Sequence, residues 1–192
     1  MTADEEPVAG LAPAAFEGLV DLHSADLHAY LSRRTSGGVA DDLLADVWLA
    51  AFGSRDTFDP ELGSARGWLF GIARHILQNY YRRHKLRAVL GRAFRADRPT
   101  DEGAAVDARL DAAALVPALR EALRSLPAVE RELLLLVAWE HLTPSEAGQV
   151  LGIPAGTARS RLHRARRRMD ERLGESAQVV DETTDHKLGA DS

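Results

Sequence analysis

LTPSEAGQVLGIPAGTARSRLHRARRR, Leu142 to Arg168, is the stretch on which the fold turns. Thr143 can cap a helix through its hydroxyl, Pro144 suits the first helical position, and Glu146 can reach back to the cap amide. Ala147, Val150 and Leu151 then fall at i, i+3 and i+4, the spacing of one buried face on a short helix. Gly152 suits the left-handed residue that ends it, and Ile153-Pro154 leads into a second helix. There Ala158, Leu162, Ala165 and Met169 share a face. The other faces carry Thr157, Arg159, Ser160, Arg161, His163, Arg164, Arg166, Arg167 and Arg168. Two helices, a tight Gly-containing turn and a basic second helix predict a helix-turn-helix whose second member can enter a DNA major groove. The plainer alternative is a helical hairpin with a solvated basic face.

The rest of the composition bounds what such a chain can be. At 192 residues and 45% apolar, it can build one domain or two small ones. It has no cysteine, which excludes disulfides, thiolate metal sites and thiol redox sensing by this chain. The acidic start MTADEEPVAG does not read as a signal peptide. The longest strictly apolar run, Leu133 to Trp139, is far short of the ~20 residues a membrane span needs. The expectation is a cytoplasmic protein with no membrane insertion. A net charge of −5 looks wrong for a DNA binder until the charges are placed. Residues 66–98 hold nine bases and one acid, and residues 155–173 hold seven arginines and two acids, with acidic stretches outside both blocks. Local field, not net charge, governs contact with phosphates.

Helical periodicity extends upstream. Phe16, Leu19, Val20, His23, Leu27, Tyr30 and Leu31 mark a first helix over 14–34. Leu44, Val47, Trp48 and Ala51 mark a second over 40–52, flanked by Asp41, Asp42 and Asp46. Residues 53–63 read as a loop with Phe58 as an exposed aromatic beside Asp59-Pro60. A third helix over 64–86 has the stripe Trp68, Leu69, Ile72, Ala73, Ile76 and Tyr80. Around that stripe stand Arg66, Phe70, Arg74, His75, Gln78, Asn79, Tyr81, Arg82, Arg83 and Lys85. Cations, rings and amides interleaved in this way suit unstacked nucleotides. Trp68 and Tyr80, lying on the stripe, read as core. After a patternless stretch, helix pattern returns near Asp111 with Leu115, Val116, Leu119, Leu123 and Leu126, and Pro117 suggests a slightly later start. A further helix follows Pro127, and its run Leu133 to Trp139 should be the centre of the small C-terminal domain. The fold class expected is all-α: two small helical domains joined by a flexible linker, the C-terminal one with a helix-turn-helix. The boundaries are a disordered 1–12, a domain over 13–87, a linker over 88–110, a domain over 111–173 and a disordered acidic tail over 174–192. How the two domains sit on each other is left open.

The segments ADDLLADVWLAAF, ARGWLFGIARHILQNYYRR and LRSLPAVERELLLLVAWEHLTPSEAGQVLGIPAGTARSRLHRARRRM resemble the extracytoplasmic-function (ECF) sigma factors, small bacterial subunits that direct RNA polymerase to promoters. With the intervening linker they span residues 14–173. On mechanics alone the aspartates of the second helix are a solvated flank. The resemblance instead implies that Asp42, Leu43, Asp46 and Val47 dock on the clamp of core RNA polymerase, while the C-terminal half meets its flap. It implies that Phe58 and Asp59 belong to a loop capturing a flipped base of the promoter −10 element. Arg74, His75, Gln78 and Asn79 fall where the family's helix faces that DNA, and Arg82 and Arg83 where phosphates are held. His75 stands where Asn is common. Thr157, Arg159, Ser160, Arg161, His163, Arg164 and Arg167 lie on the helix that meets the −35 element, where Arg can bond bidentately to guanine. The implied partners are core polymerase, promoter DNA and an anti-sigma factor. No cofactor, no metal and no catalytic residue is implied.

Two rival classes remain at this stage. A conventional helix-turn-helix repressor or activator would use only the C-terminal half, without being a polymerase subunit. A hydrolase or metalloenzyme fits poorly. The seven histidines are scattered, there is no His-Glu-x-x-His, and no Gly-rich phosphate loop follows a strand. His23 and His28, five apart, miss ideal helix-face spacing for a shared metal.

Overall fold

The computed structural model describes residues 11–36, 38–92 and 117–188, and the described residues contain helices and no strand. The N-terminal half is α1 (Pro13–Ser32), α2 (Val39–Ser54), a 3-10 turn (Arg55–Thr57) and α3 (Ala65–Arg92). The C-terminal half is α4 (Pro117–Ser125), α5 (Ala128–Ala138), α6 (Pro144–Leu151) and α7 (Ala155–Leu188).

Local chemistry accounts for most boundaries. Gly38 takes a left-handed φ of 76° just before α2, and Asp41 and Asp42 stand in that helix's first turn, where the helix dipole favours carboxylates. At α6 the capping box is complete. Glu146 N–H donates to Thr143 Oγ1 at 3.2 Å, and Thr143 N–H donates to Glu146 Oε2 at 2.8 Å. Gly152, at φ 66°, ends α6.

Apolar stripes join these helices. Phe16, Leu27, Tyr30 and Leu31 of α1 pack with Ala40, Leu43, Val47 and Ala51 of α2 and with Leu69, Phe70, Ala73 and Leu77 of α3. The same cluster continues without a break into Leu133 and Leu136 of α5, Ala147 and Val150 of α6, and Ala158 and Leu162 of α7. A second cluster lies wholly in the C-terminal half, formed by Ala122, Leu123, Leu126, Leu135, Ala165 and Met169. Helix α5 therefore stands between two cores. That is why its Leu-rich run is apolar nearly all round: Leu133 and Leu136 face one cluster and Leu135 the other.

Several expectations are corrected. The third helix continues to Arg92, so the first residues of the expected linker are helical; linker residues 93–110 and the expected disordered 1–10 lie outside the described residues. Backbone helix also continues through 174–188, where a disordered tail was expected. No proline follows Pro154, so nothing after the recognition helix forces a stop. Residues 53–63 are not all loop, because α2 runs to Ser54 and the 3-10 turn follows. On α3, Phe70 is fully buried and belongs to the core rather than the polar surround. The reason is that α3 is gripped from two sides, by α1 and α2 and by the helix-turn-helix, so a single stripe understates its buried surface.

Candidate nucleic-acid interface

The C-terminal site is built on α6 and α7. Ala158, Leu162, Ala165 and Met169 are buried, which fixes the rotation of α7 and turns its other faces outward. Arg159, Ser160, His163, Arg164, Arg166 and Arg167 are exposed, and Thr157, Arg161 and Arg168 are half-buried. All seven residues expected at a −35 element thus lie on one helix, outside its packed stripe. Ser160 Oγ donates to the Thr157 carbonyl at 3.0 Å. Arg167 lies 3.3 Å from Glu171 one turn on. Glu130 of α5 is buried beneath α7, accepts from Arg168, and lies 3.5 Å from Arg164 Nε. Nothing in its sequence position distinguished Glu130 as a support for those arginines.

The N-terminal site is less open than its sequence suggests. His75, Gln78, Arg82 and Arg83 are exposed on α3, while Asn79 is half-buried and accepts from Arg82 Nη2 at 2.6 Å. Arg74 is instead committed to the other half of the molecule. Its Nε donates to Glu132 Oε1 at 2.8 Å and its Nη2 to Glu132 Oε2 at 3.3 Å. Phe58, expected as an exposed ring, is buried, its ring 5.3 Å from that of Trp68. The loop folds back over the start of α3 because an aromatic side chain of that size gains more from burial than from solvent. Asp59 is half-buried and accepts from the Glu61 N–H at 2.9 Å, a local turn bond.

On α2, Asp42 and Asp46 are exposed, as a docking flank requires. Leu43 and Val47 are not available to a partner: both are core residues, Val47 with no exposed surface. One step along the helix turns positions 43 and 47 about 100° from the aspartates before them, toward the core. The exposed apolar residue beside them is Leu49, 73% exposed. Leu43, Asp46, Leu49 and Ala50 form one wall, and Ile76, Asn79, Tyr80, Arg83 and His84 the other, of a groove of about 440 Å³ between α2 and α3.

Between the halves lies a cluster of charge that no motif announced. Glu140, in the turn after α5, is buried, and both of its carboxylate oxygens are taken by α1-end arginines: Oε1 accepts from Arg34 Nη1 at 2.9 Å, and Oε2 accepts from Arg33. Arg66 of α3 donates to the carbonyls of Glu140 at 2.8 Å and His141 at 3.2 Å, and pairs with Asp26 at 2.9 Å. His141 holds a left-handed φ of 53°, unusual for a residue with a side chain. Arg34 also lies 4.0 Å above the Tyr30 ring, whose burial pushes the phenol up to about 12, so it packs as a neutral ring. His23 is buried nearby. Desolvation, reinforced by Arg66 and opposed by Asp26 and Glu146, holds it below its ordinary 6.5. For Glu146, partial burial acts upward but is outweighed by hydrogen bonds from Thr143 and Ser64 and by the charge of Arg66, which leave it below the usual value.

Among the described residues no group of His, Asp or Glu is placed to hold a metal ion, and no helix is long and apolar enough to cross a membrane. The Sigma-70 region 2 family model matches residues 19–87 and the Sigma-70 region 4 model matches residues 117–169. The chain is 34% identical over 166 residues to "ECF RNA polymerase sigma factor SigF" of Caulobacter vibrioides, covering 83% of this chain and 86% of that protein. This chain belongs to the ECF sigma factors. It is thus a sigma subunit of RNA polymerase, which binds promoter DNA and directs the start of transcription. Two solved structures share the arrangement. CnrH, in complex with the cytosolic domain of CnrY, aligns at a TM-score of 0.55 with 28% identity over 85% of this chain and 90% of that one. The sigma factor RpoE of Bartonella quintana, in complex with the anti-sigma factor NepR, aligns at 0.55 with 27% identity over 83% and 96%. The family sets aside the repressor reading, in which the N-terminal half would be a dimeriser or ligand domain. In this sigma factor that half is region 2.

Proposed function

We propose that this sigma factor reads promoters at two separated places and supplies no catalysis of its own. The carrying observation is the set of exposed polar and cationic side chains on α7, Arg159, Ser160, His163, Arg164 and Arg167, held outward in a helix-turn-helix whose first helix is capped at both ends. In this reading Thr157, Arg159, Ser160, Arg161, His163, Arg164 and Arg167 meet the −35 major groove. His75, Gln78, Asn79, Arg82 and Arg83 meet the −10 strand, with Arg74 joining once its partner is exchanged. Two weak contacts on one duplex raise each other's effective concentration. Melting is favoured when an unstacked base finds a protein site, offsetting a few kcal/mol of lost stacking.

Core polymerase docks on the exposed Asp42 and Asp46, with Leu49 in place of the buried Leu43 and Val47. The clamp is the element expected at this flank and the flap the element expected at the C-terminal half. An anti-sigma factor is the regulatory partner; the two solved relatives, each in complex with a partner, support that class. The site of action is the cytoplasm, where the chromosome and core polymerase are.

Run-off transcription with purified core polymerase on genomic DNA tests the reading, and initiation by the holoenzyme is expected. Arg164→Ala should cost about 1–3 kcal/mol in promoter affinity with core binding unchanged. Asp46→Lys should do the reverse. Equal loss of core binding in both variants would contradict the division of labour.

A further inference from the structure

We infer that Glu130 of α5 is a positioning residue for promoter reading. It holds the Arg164 guanidinium so that the terminal nitrogens meet a base edge of the −35 element rather than a neighbouring phosphate, a role that rests on Arg164 being a −35 contact as proposed above. An exposed arginine beside a duplex has two competing acceptors. Phosphate oxygens draw its charge whatever the sequence, while guanine O6 and N7 accept its forked donors in one orientation only. A side chain free to choose between them reports little sequence. Fixing its orientation, and reducing its net pull on phosphate, both favour the base.

Glu130 does both. It stands in the first turn of α5, where the helix dipole favours a carboxylate, and its side chain is only 9% exposed. Its two oxygens are divided between arginines one turn apart on α7. Oε2 accepts from Arg168, which anchors the carboxylate, and Oε1 lies 3.5 Å from Arg164 Nε. The pairing uses the inner nitrogen of Arg164. Among the described residues its Nη1 and Nη2 carry no bond, and the side chain is 51% exposed. The donors that can fork onto a base are therefore the ones left facing outward. A buried carboxylate is also screened less than a surface one, so its hold persists in salt. The other cations of α7 are not held this way. Arg167 lies 3.3 Å from Glu171, but both side chains are more than half exposed, so solvent weakens that pair. Among the described residues Arg159 and Arg166 have no carboxylate partner. A helix built only to attract phosphate would gain nothing from a carboxylate beneath it, since that charge repels the duplex.

Selection by the holoenzyme from a promoter library with a randomised −35 element reads the preference at each base position. Arg164→Ala should flatten one position. Glu130→Gln should flatten that same position by about five- to tenfold, within what one bidentate arginine–base pair supplies, and keep the others. The same variant should bind a non-promoter duplex as well as the parent or better. Its salt dependence should steepen by up to about one unit of slope, because a guanidinium released from its carboxylate is free for phosphate. A −35 profile equal to the parent's overturns the role of Glu130 and leaves Arg164 as a contact. Equal loss on promoter and non-promoter duplexes overturns it too, since that marks a residue supporting the fold alone. If Arg164→Ala flattens no position, Arg164 is not a −35 reader and Glu130 loses its role with it. Should Glu130→Gln lose the parent's helical circular dichroism, Glu130→Asp carries the test. It keeps the charge but withdraws it by one methylene, so the profile should flatten at that position with the salt dependence unchanged, and an unchanged profile overturns the proposal.

Discussion

Helices α3 and α7 read alike in the sequence, each a long basic helix with an apolar stripe, yet the fold treats them differently. Helix α7 packs on one side and shows its arginines to solvent, Arg159 and Arg164 among them. Helix α3 is packed on two sides, and its first cations, Arg66 and Arg74, are spent on the other half of the chain. The difference teaches that a row of basic residues reports the potential to hold phosphate, not its availability. Availability depends on which acceptors the rest of the fold brings near: for Arg74 the Glu132 carboxylate, 58 residues away, and for Arg66 the Glu140 carbonyl, 74 residues away, beside the nearer Asp26.

The contrast can be broken most severely at the joint. Phe70→Ala on α3 should cost about 3–5 kcal/mol in chemical denaturation, since a fully buried ring is lost, whereas His163→Ala on α7 should stay within ~0.5 kcal/mol. Similar costs at both positions would mean that α3 is not the more deeply held helix. Next in size, Arg159→Ala should weaken duplex binding by about 1–3 kcal/mol and reduce the salt slope by about one if its contact is to phosphate. Arg74→Ala should leave binding by the free protein untouched, and titrations at two salt concentrations read both. A smaller effect is expected at the cap: Thr143→Ala should cost about 1 kcal/mol, seen as a lower thermal midpoint, because the N3 amide loses its acceptor.

The smallest effect expected is on acidification. His23 sits below 6.5 in the folded chain, so the unfolded chain binds its proton first, and the stability this group contributes is present above pH 6.5 and declines as pH falls below it. Glu146 is likewise depressed, so its contribution is present above about 4.5 and is lost as pH falls through its folded value. Denaturation of His23→Gln across pH 7 to 5 should show a flatter profile than the parent; an equally steep one removes His23 from the account.

Legibility followed the range of the interactions. The capping box at Thr143, the left-handed Gly152 and the stripe Ala158, Leu162, Ala165 and Met169 are local, and each stands where the residues put it. Phe58 was misjudged because its ring is covered by Trp68, ten residues on and on a different element. Leu43 and Val47 are assigned to docking by similarity of segment, but helix period turns them about 100° from Asp42 and Asp46, onto the side that α1 and α3 cover. Glu130, Glu132 and Glu140 carried no signal at all, since a glutamate's place in the sequence does not say which distant arginine it will meet.

By itself, the chain's order of residues determined an all-helical protein, its helix ends and the outward face of α7, because caps, turns and 3.6-residue periodicity act within a few positions. Only the tertiary structure decided which cations stay free, since α5 and α6 lock onto α1 and α3 through contacts between distant residues. Charge acts through space, and a carboxylate brought from the far half of the chain changes what an arginine can do without altering any residue beside it.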